Sequence, residues 1–174
     1  MKFVSPRRVL PALALVVLSV APAAALDPEE FMRPCKRHDL IGLWRVMRLG
    51  VVGGGEIDRT DPAFLPHQRY VFHSNATMAY ATQEVPFSPD EQRGLLKVPP
   101  TATWAMEGEG RLVRQRDGVA AVEKADCKVL MRAVKDPKGS QPTAQAGDIL
   151  LTEETADKRP TTRRLLRRVK AISD

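Results

Sequence analysis

Residues 69–82 read Arg69-Tyr70-Val71-Phe72-His73-Ser74-Asn75-Ala76-Thr77-Met78-Ala79-Tyr80-Ala81-Thr82. Two short runs rich in aromatic and β-branched residues flank Ser74-Asn75, a pair suited to a turn. The period is two. Tyr70 and Phe72 share one face of the first run, and Met78 and Tyr80 share one face of the second. The stretch predicts an antiparallel β-hairpin whose apolar face looks into a core.

The same period recurs on both sides of it. Upstream, residues 40–50, LIGLWRVMRLG, place Gly42, Trp44 and Val46 on one face and Arg45 on the other. Residues 56–68 carry Pro62 and Pro66 and read as a loop. Downstream, Ser88-Pro89-Asp90-Glu91 is a capping box with proline at the first helical position, which predicts one short inserted helix to about Leu96. Strands follow at Thr101–Glu107, with Trp104 and Met106 on one face, and at Arg111–Gln115. Asp117-Gly118 makes a hairpin turn before Val119–Glu123. Cys127–Val134 alternates, with Val129 and Met131 on one face. Residues 136–147 form a polar loop, and Asp148–Glu154 is a strand.

The last element, Thr161–Lys170, fits a strand that covers the first edge, since an open edge invites aggregation. It also fits a basic amphipathic helix carrying Leu165, Val169 and Ile172. Near the start, Asp27-Pro28-Glu29-Glu30 predicts a short helix that Pro34 limits. Eight or nine short strands with little helix argue an all-β, antiparallel up-and-down barrel in one domain.

Residues 1–25 read as a secretory signal peptide. Lys2, Arg7 and Arg8 precede an apolar stretch from Val9 to Val20, and Ala23-Ala24-Ala25 supplies the small residues for cleavage. The mature domain is then 26–174, in the periplasm or outside the cell. The segment holds three of the 27 basic residues and no acid, so removing it lowers the net charge from +6 to +3. The remaining excess sits at the C-terminus. There Lys158, Arg159, Arg163, Arg164, Arg167, Arg168 and Lys170 form a basic stripe suited to weak contact with an anionic membrane surface. Nucleic acid is a poor partner for an exported chain. Two cysteines, Cys35 and Cys127, predict a disulfide in an oxidising compartment and are too few for a metal cluster.

Gly42-Leu43-Trp44, the hairpin YVFHSNATMAY, Thr103-Trp104, GDILLTEE and the terminal LLRRVK together resemble the bacterial lipocalin-like barrels of the calycin type, over residues 36–170. That resemblance implies a short helix covering one barrel end and a Gly-x-Trp opening the first strand. It also implies an arginine from near the C-terminus packed over Trp44, supplied by Arg164, Arg167 or Arg168. Gly42, Trp44 and Arg167 are taken as that structural set. The second and third lipocalin signatures have no counterpart here.

The expected function is binding of an apolar or amphipathic small molecule inside the barrel, against Tyr70, Phe72, Met78, Tyr80, Trp104, Met106 and Met131. The alternative is a filled barrel acting through its surface on a protein partner, in the manner of periplasmic protease inhibitors, or on a membrane. No nucleophile motif, metal motif or phosphate loop is present. No cofactor, metal site or catalytic residue is assigned, and the oligomeric state is open.

Overall fold

A computed structural model describes residues 30–135 and 142–170. The expected signal peptide, the Asp27–Glu29 helix start and the tip of the polar loop lie outside the described residues. The element order is β1 (Met32–Pro34), α1 (Arg37–Leu40), β2 (Gly42–Val51), β3 (His67–Phe72), β4 (Thr77–Gln83), α2 (Pro89–Leu95), β5 (Ala102–Glu107), β6 (Arg111–Arg116), β7 (Val122–Leu130), β8 (Val134–Lys135), β9 (Pro142–Ala144), β10 (Ile149–Glu154) and β11 (Pro160–Arg168). From β2 through β7, then β10 and β11, each strand pairs antiparallel with the next, and β11 pairs back onto β2. Eight strands therefore close an up-and-down barrel. β1 extends the sheet beside the far half of β7, and β8 and β9 form a separate small hairpin.

Three local readings change. Met32–Pro34 is a strand rather than helix, because it finds a partner in Lys128–Leu130. The runs at 119–123 and 127–134 are one strand, β7, since Gln115 opposite Val122 leaves 117–121 as the hairpin loop. β7 ends at Leu130, so Met131 leaves the ladder and turns outward, 57% exposed. The last element is the strand, not the amphipathic helix.

One half of the interior is filled. Trp44, Phe72, Trp104, Leu40, Leu112, Ile149, Leu151 and Leu166 pack together with almost no exposure. α1 caps this end. Trp44 donates its indole N–H to the Leu40 carbonyl at 2.6 Å, and Asp39 accepts two bonds of 2.7 Å from Arg33. The arginine stacked on Trp44 is Arg168, not Arg167, with its guanidinium 4.5 Å from the ring. It also donates to the backbone carbonyls of Asp39 and Ile41. Arg167 faces the other side of β11 and holds Asp148 through two bonds of 2.9 and 2.6 Å. Gly42 makes this staple possible. Its φ is +131°, and a Cβ there would stand 2.6 Å from Arg168 Nη1.

Cys35 and Cys127 form the expected disulfide across 92 residues, both buried at the capped end. It ties the β1–α1 segment to the barrel wall. Reducing it, or replacing both cysteines by serine, is expected to lower thermal stability while the β-sheet circular dichroism persists. The chain-entropy limit for a loop of this length is about 4–5 kcal/mol. Identical melting curves with and without reductant would contradict that role. The disulfide fits an oxidising compartment, and among the described residues no helix is long and apolar enough to cross a membrane.

The outer face of β2–β4 is covered by the connection that carries α2. Leu43, Val71 and Ala79 form a second small core beneath Leu95 and Val169. The capping box at Ser88 and Glu91 is formed as predicted.

Candidate functional site: a charged floor in the barrel mouth

The other half of the interior is open. A cavity of about 390 Å³ sits at the end away from α1, with Ala63, Phe64, Tyr70, Met78, Tyr80, Ala102, Val122, Arg114, Glu153 and Arg164 among its lining residues. β4 and β5 share only Thr77 with Thr103 and Met78 with Ala102. The mouth half of β4 thus has no β5 neighbour, and the wall beside Tyr80 is interrupted.

The period of two explains which charges point inward. Arg114 follows Leu112 on β6, Glu153 follows Ile149 and Leu151 on β10, and Arg164 precedes Leu166 on β11. A bulge in β2 at Met47 shifts the register against β11, so that Leu165 faces Arg48 while Leu166 faces Val46.

These three side chains make the cavity floor. Arg114 donates to Glu153 Oε1 at 2.8 Å. Arg164 and the Thr162 hydroxyl both donate to Oε2. Arg164 further donates to Gln68 Oε1 at 3.2 Å and to the Ala63 carbonyl at 3.1 Å. Gln68 holds the Ala63 and Leu65 carbonyls from below at 3.1 and 2.9 Å. The short helical turn Pro62–Phe64 is thereby folded across part of the mouth. Both guanidiniums are almost fully buried. They lie near aromatic faces, Arg114 at 6.0 Å from the Tyr70 ring and Arg164 at 5.8 Å from that of Phe64.

Electrostatics fix the charge states. Burial pushes the Glu153 carboxyl up, but Arg114 and Arg164, helped by Thr162, overcome this and bring it to about 2. Glu153 is therefore ionised at neutral pH. Burial would lower the pKa of both arginines, yet the ionised Glu153 between them raises it, so both stay cationic. Burial also pushes Tyr80 up to about 12 and raises Tyr70, leaving both phenols neutral. The floor carries two positive charges against one negative. At the rim, Glu123 is 3.3 Å from Arg114 and also pairs with Arg116, and Glu154 pairs with Arg111 at 2.6 Å. Arg114 Nε is buried and has no acceptor.

Of the seven residues expected to line a binding site, Tyr70, Met78 and Tyr80 do so. Phe72 and Trp104 belong to the packed half, their rings 5.4 Å apart edge to face. Met106 packs at the margin of that core and faces a separate hollow beside Cys35. Met131 is outside the barrel. Sequence reading missed Gln68, Arg114 and Glu153, and offered Arg164 only as a partner for Trp44 or as part of the basic stripe. Their signal was parity with Tyr70, Leu112, Leu151 and Leu166 along each strand.

Comparison with protein-family models, with curated proteins and with solved structures finds no match to this chain.

Proposed function

We propose that this barrel is an exported, lipocalin-like binding protein that takes a small amphipathic molecule head first into its mouth. The observation that carries this is the floor of Arg114, Glu153 and Arg164, with an excess of one positive charge beneath walls of Phe64, Tyr70, Met78 and Val122. An apolar ligand alone would leave those guanidiniums facing hydrocarbon, which is costly. An acidic head group would share their donors, and its apolar body would be buried against the walls. The size suits a compact ligand, because 390 Å³ lies near the lower end of the 300–1,000 Å³ typical of such sites.

Titration with three probes of equal chain length tests the reading. Decanoate is expected to bind, while decanol binds more weakly and decylamine weakest of all. Arg164→Met is expected to remove most of the preference for decanoate, about tenfold or more given the value of a charged hydrogen bond. Equal affinity for the acid and the amine would contradict the reading.

One observation favours a second reading, a module that acts through its rim on a protein partner. Val85, Val119 and Val122 are large exposed apolar residues in or beside the connections that leave the mouth ends of β4 and β6. Failure of all three probes to bind would move the weight to that reading.

A further inference from the structure

The outer face of the β2–β3 ladder holds charges that the mouth does not use. Arg45 and Arg69 are direct cross-strand partners. Both lie on the face opposite Trp44 and Tyr70. Side chains paired in this way start from Cβ atoms about 5 Å apart, and like charges there repel.

Arg69 is only 8% exposed. The Phe87 ring covers it, 4.8 Å from the guanidinium. One of its nitrogens, Nη1, donates to the Gln68 carbonyl at 3.0 Å, and Nε meets no acceptor. Burial, with Arg45 adding to it, pushes its pKa down. Elsewhere the buried arginines Arg114 and Arg164 have Glu153. Among the described residues no carboxylate pairs with Arg45 or Arg69. A buried cation without a counter-charge is expensive, so an arrangement that places a second arginine opposite it calls for an anion.

A place for one adjoins the pair. A groove of about 490 Å³ runs between α2, β2 and the end of β11, lined in part by Arg45, Gln92, Asp148, Arg168 and Lys170. Gln92 donates to the Phe87 carbonyl at 3.3 Å, so the cover over Arg69 is continuous with the groove wall. The groove's one acid, Asp148, is already held by Arg167. Arg168 is committed to Trp44 and to two backbone carbonyls. Arg45 and Lys170 have no acidic partner among the described residues.

We propose that this outer groove is an oxyanion site, in which a phosphate-type head group is held by the Arg45 guanidinium with Lys170 beside it, while Arg69, buried beneath Phe87 opposite Arg45, adds its uncompensated charge from behind. The Arg45 fork matches phosphate oxygens two at a time, which a lysine in its place would not do. The head group comes either from free phosphate or phosphomonoester, or from an anionic lipid.

Inorganic phosphate titrated into the full chain tests this by calorimetry and by thermal unfolding. Binding is expected to saturate. It is expected to weaken about tenfold or more in Arg45→Gln, a change at an exposed position that leaves the fold intact. Arg69→Met is expected to weaken binding by less than Arg45→Gln does and, without phosphate, to melt above the parent chain because a bare buried charge has gone. Phosphate also stabilises proteins by exclusion from their surface. Equal phosphate-induced gains in the parent and Arg45→Gln would therefore overturn the proposal.

Sedimentation with vesicles separates the sources. Retention on vesicles of phosphatidylcholine with phosphatidylglycerol, but not phosphatidylcholine alone, and its loss in Arg45→Gln, assigns the head group to lipid. Saturable phosphate binding without retention assigns it to a soluble ligand. Absence of both, or retention unchanged in Arg45→Gln, overturns the site.

Discussion

Replacing Trp44 by alanine is expected to cost about 3–5 kcal/mol of stability, the range for removing a large buried aromatic side chain. Three structural facts put it at the upper part of that range. The ring is 1% exposed and sits in the centre of the filled half. Its N–H satisfies the Leu40 carbonyl at the end of the α1 cap. Its face carries Arg168, which in turn binds the carbonyls of Asp39 and Ile41. Loss of the ring therefore opens a cavity and loosens the staple that closes the barrel on α1. For a domain of this size the melting temperature should fall by roughly 10 °C. Arg168→Ala, at a solvent-facing side of the stack, should cost much less, near the 0.5–1 kcal/mol of an exposed cation–π contact. Equal effects from the two variants would mean that the staple, and not the packed ring, holds the capped end.

The second large effect is expected at Glu153. Changing it to glutamine removes the one full negative charge that Arg114 and Arg164 share. Breaking a buried ionic group by deleting one partner leaves the other charges uncompensated. The size follows from titration. Glu153 moves from an ordinary 4.5 to about 2 on folding, which corresponds to about 3 kcal/mol. The folded value is the depressed one, so this contribution is complete above pH 4.5 and is lost as pH falls from 4.5 towards 2. Asp39, which Arg33 holds at about 2, acts in the same direction. The parent protein should lose stability steeply through this acid range. Glu153→Gln should start less stable at neutral pH and lose less on acidification, keeping the part due to Asp39. Urea unfolding at a series of pH values measures both. An acid transition of the same size in the variant would show that Glu153 does not hold the floor together.

The barrel was legible in the sequence because period-two alternation and turn residues depend on local geometry alone. The hairpin 69–82, the capping box at Ser88 and the closing strand at the C-terminus all appear as read. Two kinds of feature were not legible. The first depends on where a strand stops. Met131 has the parity of Val129, but β7 ends at Leu130, and only the pairing with β1 and β10 shows that. The second depends on charges that burial makes tolerable. Arg114 and Arg164 have core parity, yet an isolated arginine is read as outward-facing because burial costs it so much. Glu153 removes that cost, and it lies 39 residues from Arg114, a pairing that only the closed barrel creates. Arg167 was misassigned for another reason. It and Arg168 are neighbours on β11, and only the register that sets Arg168 opposite Trp44 and Arg167 opposite Arg45 decides which of them reaches the ring.

In the proposed binding mode an amphipathic molecule enters the mouth and stops at the charged floor. Five methionines lie among the described residues at separate places, so methyl spectra of methionine-labelled protein titrated with decanoate test it directly. Met78 lines the cavity, Met106 borders the packed half, and Met32, Met47 and Met131 lie elsewhere. The predicted result is a saturable shift of the Met78 methyl, with contacts from the decanoate chain to Met78 and Tyr80 and none to Met131. Shifts centred on Met106 or Met131, or an unchanged Met78 at saturating decanoate, would contradict the account.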